Sequence, residues 1–172
     1  MKIELLTGRQ WMSILKWTLY GILFLFSILL QSSVLPRMPI GGICLSCVPA
    51  CIACIALEEG AESGAVFALI AGCFFSLSGV SVGPLYILTL TLSAVISGGM
   101  SDRYCTKNIV SALLLGLISL AVCLIPAFLF RLYVGSVAGR YAVTVLIPEV
   151  FLSILTVPIF WLGSWAIGKI GR

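Results

Sequence analysis

Two groupings of residues in this chain have the types and spacing that chemistry requires. The first is Leu146-Ile147-Pro148-Glu149, which lies in a run, 141–168, whose only charged residue is Glu149. A carboxyl group in an apolar run marks a candidate substrate or proton site, a contact to a partner's polar group, or a conformational latch, because a membrane span holds an ionisable side chain only where something compensates it. Pro148 adds to the local polarity. Proline has no N–H, so inside a helix it leaves the carbonyl one turn earlier, at Thr144, without its usual donor. The structural alternative is a carboxyl group paired with Arg140 or Arg131 or with freed backbone, or an uncharged acid.

The second grouping is Cys44, Cys47, Cys51 and Cys54, whose C-x2-C-x3-C-x2-C spacing has the form of a zinc or iron–sulfur ligand set. On a helix that spacing places all four on one stripe about 15 Å long, and ligands so strung out do not close a tetrahedron around one ion. The array therefore suits packing, and no metal or other cofactor is expected. Cys73, Cys105 and Cys123 are scattered and bring the total to an odd number, so no disulfide framework is indicated. Histidine is absent, which removes the commonest general base and metal ligand. Hydrolysis or group transfer needs a base, a nucleophile and an oxyanion or metal site, and these residues do not assemble one, so the expectation is a protein that is not an enzyme.

The elements that must position these residues follow from composition. With 61% apolar and 9% charged residues and a mean hydropathy of +1.22, the chain departs far from the soluble average of about 45–50% apolar and 25% charged. These values describe an integral membrane protein, all-α, with residues 1–172 forming one transmembrane domain. The net charge of +4 is the excess of loop Lys and Arg rather than a nucleic-acid signal. Lipid is the expected surroundings.

Six spans are expected, at about 17–36, 40–57, 63–79, 84–101, 108–130 and 141–168. Trp11, Trp17 and Tyr20 cluster where a headgroup-level aromatic belt would sit before the first. Its apolar core exceeds the length usual for a signal peptide, so it reads as an anchor. Pro36 to Gly42 breaks the first span from the second, which the acidic segment Glu58-Glu59-Gly60-Ala61-Glu62 ends. The uncharged stretch 63–101 is too long for one helix, and Gly79-Val80-Ser81-Val82-Gly83-Pro84 divides it. With six spans both termini share a side, and Lys plus Arg number seven on that side against three on the other, which makes the termini cytoplasmic.

Gly60, Gly64, Ala68 and Gly72 recur every four residues. Such a stripe of small residues is a groove that another helix can approach closely, whether a partner's or one of the same chain.

Three stretches resemble the rod-shape-determining MreD family, small polytopic proteins of the bacterial cell-elongation machinery. Gln31-Ser32-Ser33-Val34-Leu35-Pro36 is similar to the end of that family's first helix. Gly60 through Gly83, with glycines at Gly60, Gly64, Gly72, Gly79 and Gly83, is similar to its third helix and the following turn. Leu146-Ile147-Pro148-Glu149-Val150-Phe151, continuing to Pro158, resembles its last helix. The chain departs from the family four residues after Gly72, where Ser76 stands in place of a common aspartate and supplies no charge.

The resemblance implies a scaffold in the bacterial cytoplasmic membrane that associates with the MreC protein and, through it, with the MreB filament and peptidoglycan synthases. It also implies a fold similar to the substrate-binding S components of energy-coupling-factor vitamin transporters. Such a transporter subunit is the alternative function. Against it, Gly21 to Ser27 lacks the alanine-every-four face with which those subunits dock, and the outer loops are short and apolar.

Overall fold

The computed structural model describes residues 8–34, 45–78, 84–104, 107–133 and 147–170. Helix α1 spans Gly8–Leu29 and runs on as a π-helical turn, Leu30–Val34. It is followed by α2 at Val48–Glu59, α3 at Ala61–Leu77, α4 at Pro84–Tyr104 and α5 at Ile109–Tyr133. The last two are α6 at Ile147–Ile154 and α7 at Val157–Ile170. No strand occurs among the described residues. Among the described residues, four stretches are long and apolar enough to cross a bilayer: Trp11–Ser33, Pro84–Ser101, Ile109–Phe130 and Ile147–Lys169. Helix α3, of 17 residues, is shorter.

The centre of the molecule is α2. Every residue from Val48 to Glu58 is buried, and the helix packs against α1, α3, α4, α5 and α7. A helix that is apolar on all sides has no face that needs water, and the small residues of VPACIACIAL let five neighbours approach it closely. Its 12 residues rise about 18 Å, less than a hydrocarbon core of about 30 Å. Pro49 sits in the first turn, where a missing N–H takes nothing from the hydrogen-bond ladder.

The acidic segment expected to be a loop is largely helical. Glu58 and Glu59 are the last two residues of α2, and Gly60 alone joins α2 to α3. So short a corner requires a left-handed backbone, and Gly60 has φ +91°. Its N–H still donates to the Ala56 carbonyl while its own carbonyl accepts from Gly64, so both helices keep their ladders up to the corner.

Helices α3 and α4 run antiparallel in close contact. A Cβ on Gly72 would stand 2.8 Å from the Ile87 Cα, and one on Gly98 would strike the Ala61 backbone. Of the expected break between these helices, Gly79 to Gly83 lies outside the described residues, and α4 starts at Pro84.

The final apolar run is bent rather than continuous. Leu155 and Thr156 donate to the carbonyls of Leu152 and Ser153 in a tight turn that separates α6 from α7. Pro158, in the first turn of α7, has no N–H for the Ile154 carbonyl, so an unbroken ladder cannot pass this point. Pro148 is the second residue of α6 as described. Thr144 and Arg140 lie outside the described residues.

Candidate functional site

The two ends of α2 carry two polar clusters. At its N-terminal end the first backbone donors have no helical partner, and the N-cap residue, Cys47, makes no side-chain cap. The missing acceptor comes from α1: Gln31 Oε1, in the π-helical turn, takes the Val48 N–H at 2.8 Å. Just before α2, the Ser46 N–H donates to Ser153 Oγ at 2.9 Å and Ser46 Oγ donates to Glu149 Oε1 at 3.2 Å. Glu149 and Ser153 are four residues apart on α6 and so share a face. Tyr86 of α4 closes the group, beside the Gln31 side chain and in electrostatic reach of Glu149.

Of the residues singled out in sequence, Glu149 and Pro148 are therefore at this cluster. Arg140 lies outside the described residues, and Glu149 accepts from Ser46. Ser46, Ser153 and Tyr86 carry no motif. The one available signal is the i, i+4 spacing of Glu149 and Ser153 in an otherwise apolar helix.

The C-terminal end of α2 holds the second cluster. Lys16 Nζ is 2.8 Å from Glu59 Oε1, the same oxygen that accepts the Tyr20 hydroxyl at 3.0 Å. Tyr20, with no exposed surface, also reaches the Ser164 carbonyl at 3.2 Å and so joins α1, α2 and α7. Lys107 Nζ donates to the Glu58 carbonyl and lies 3.6 Å from its Oε2, and Ser101 Oγ donates to the Leu57 carbonyl at 3.0 Å. A helix C-terminus leaves carbonyls unpaired and carries partial negative charge, so a lysine and a hydroxyl are fitting partners there. An open cleft of about 480 Å³ lined by Glu58 to Ser63 adjoins this end.

The Glu149 run was expected to hold the one carboxylate within a span. The Glu58 side chain, in α2, is only 3% exposed. The sequence signal for this cluster is one of side: six expected spans put Lys16, Lys107, Glu58, Glu59 and Glu62 on the same membrane face, where opposite charges can meet.

The small-residue stripe faces inward. Gly64, Ala68 and Gly72 are buried, a Cβ on Gly64 would stand 2.6 Å from that of Ala56 in α2, and Gly72 meets α4. Ser76 is half-buried in the last turn of α3. Cys47, Cys51 and Cys54 are free thiols among the buried side chains of α2, with Cys54 Sγ 3.8 Å from the Val157 carbonyl. Cys44 lies outside the described residues, and among those described no three His, Cys, Asp or Glu residues converge as a metal set.

Carboxylates and hydroxyls arranged in this way can lock helix ends, accept a partner's donor or exchange a proton. The fold and the apolar helices define an all-helical protein of the membrane-embedded class. No protein-family model, curated protein or solved structure matches the chain.

Proposed function

We propose that this chain is a non-enzymatic scaffold of a bacterial cell-elongation machinery, acting in the manner of the MreD family that it resembles. In this reading it sits in the cytoplasmic membrane and binds MreC, and through MreC it links the MreB filament to peptidoglycan synthases. Six crossings with both termini cytoplasmic and an S-component-like arrangement belong to the same proposal. The crossings would be α1, α2 with the residues before it, α3, α4, α5 and the bent pair α6–α7.

One observation carries the reading. Gln31 and Glu149, from two stretches that bear the resemblance and lie far apart in the chain, meet at the start of α2. Shared residues that converge on one structural point support a common design more than isolated matches do. The S-component alternative has less support, because α2 fills the middle of the helices with residues that are all under 2% exposed from Val48 to Leu57.

The test is co-purification of the membrane-extracted protein with MreC, together with rod-shape complementation. The reading expects both, and expects Glu149→Leu to reduce MreC recovery while the protein still accumulates. A chain that fails to retain MreC, or a Glu149→Leu variant that retains it fully and restores rods, counts against the site. Reporter fusions at Arg172 test the topology, with an external signal overturning it.

A further inference from the structure

Three lysines among the described residues stand at one level of the bundle, the end at which α2 finishes. Lys16 pairs with Glu59 and Lys107 with Glu58. Lys169 belongs to the same level, because a Cβ on its neighbour Gly168 would stand 3.1 Å from Glu58 Oε2, and Tyr20, which bonds Glu59, also bonds the Ser164 carbonyl of α7. One residue further along a helix turns a side chain by about 100°, so Gly168 is buried against Glu58 while Lys169 points outward and is exposed. Among the described residues no carboxylate lies within ion-pair distance of Lys169.

Its ammonium is nonetheless held in one place. Lys169 Nζ lies 3.6 Å from the centroid of the Trp165 ring, and Trp165 is stacked on Trp161, four residues earlier, with centroids 6.1 Å apart. An indole face attracts a cation without neutralising it. The end of α7 draws the lysine too, but its partial charge is only about half a unit. From Lys169 into the membrane span, Trp165, Leu162 and Ile159 are exposed on the same side of α7. A fixed cation at the head of an apolar strip is complementary to a molecule with an anion at one end and hydrocarbon at the other.

We propose that Lys169, held over the Trp165 indole, binds the headgroup phosphate of an anionic phospholipid whose acyl chain lies along Leu162 and Ile159. A lysine ammonium is a point charge suited to phosphate. A zwitterionic phospholipid carries its own cation beside the phosphate, whereas an anionic one leaves its charge uncompensated. The site therefore favours the anionic lipid by about fivefold, the contribution of one lysine at a membrane surface. The lipid supplies for Lys169 the counter-charge that Glu59 and Glu58 supply for Lys16 and Lys107. The inference stands apart from the scaffold reading, since it needs only that α7 lies in a bilayer.

Native mass spectrometry of the full chain, released from micelles containing equal amounts of phosphatidylglycerol and phosphatidylcholine, tests it. The unaltered protein should retain phosphatidylglycerol about fivefold over phosphatidylcholine. Lys169→Gln should lose most of that preference, and Lys169→Arg should keep it. Both substitutions are at an exposed position, and an unchanged melting temperature in detergent checks that the fold is intact. Trp165→Leu, which leaves the charge without its platform, should lower the preference as well. Equal retention of the two lipids by the unaltered protein would overturn the proposal, since water alone would then serve Lys169. A preference that survives in Lys169→Gln would overturn the assignment to this residue, and one abolished by millimolar inorganic phosphate would show a free-anion site in place of a lipid site.

Discussion

Lys16 and Glu59 form an ion pair at 2.8 Å, with their side chains only 19% and 13% exposed, and so fasten the start of α1 to the end of α2. Because Tyr20 donates to the same carboxylate oxygen, the acid is held by two groups from one face of α1. Removing one member leaves the others in place with unsatisfied polar atoms, which costs more than the net worth of the pair. We expect Glu59→Leu to lower stability by about 1–3 kcal/mol and Tyr20→Phe by about 1 kcal/mol. Unfolding of the purified variants in detergent measures both. A Lys16–Glu59 double-mutant cycle should give a coupling of at least about 0.5 kcal/mol, with zero coupling removing the pair from the account.

The glycines should divide by what a Cβ meets. Gly98 and Gly72 face the backbones of Ala61 and Ile87, which cannot yield as a flexible side chain can, whereas Gly99 has open space. Gly98→Ala and Gly72→Ala should each cost about 1–3 kcal/mol, and Gly99→Ala should be neutral or stabilising by up to about 1 kcal/mol. Gly60→Ala has room, yet its φ of +91° should impose about 1–2 kcal/mol. Melting temperatures in one detergent would rank the four variants, and equal values for Gly98→Ala and Gly99→Ala would contradict the packing described.

Replacing Cys47, Cys51 and Cys54 together by Ala should leave the protein folded and free of any change in metal content. Each thiol is removed from a packed position, at about 0.8 kcal/mol for a group of that size. Elemental analysis of the purified protein is the check. Zinc or iron near one equivalent, lost on replacement, would show that the cysteines coordinate.

At the other end of α2, Glu149→Gln keeps an oxygen for the Ser46 hydroxyl and should have little effect on stability. Glu149→Leu leaves that hydroxyl without this acceptor and should cost about 1–3 kcal/mol. Gln31→Leu uncaps Val48 and should cost about 1 kcal/mol. Denaturant unfolding distinguishes these outcomes, and a Gln31→Leu variant as stable as the parent would remove the cap from the argument.

What the sequence determined by itself was the class of fold and its punctuation. Apolar runs longer than any soluble helix needs, interrupted by proline and glycine, specify helices in a bilayer. Glu149 stood out for the same reason, since one charge in an apolar run is visible without coordinates. The tertiary structure decided which helix is central and which polar groups meet. Nothing in VPACIACIAL says that it lies inside five other helices rather than against lipid, because both surroundings are apolar and hydropathy does not separate them. The clusters at the ends of α2 draw on residues distant in the chain, such as Gln31 with Val48 and Tyr20 with Ser164. Such pairings follow from how the helices pack, and a periodic pattern along one helix carries no record of the partner opposite.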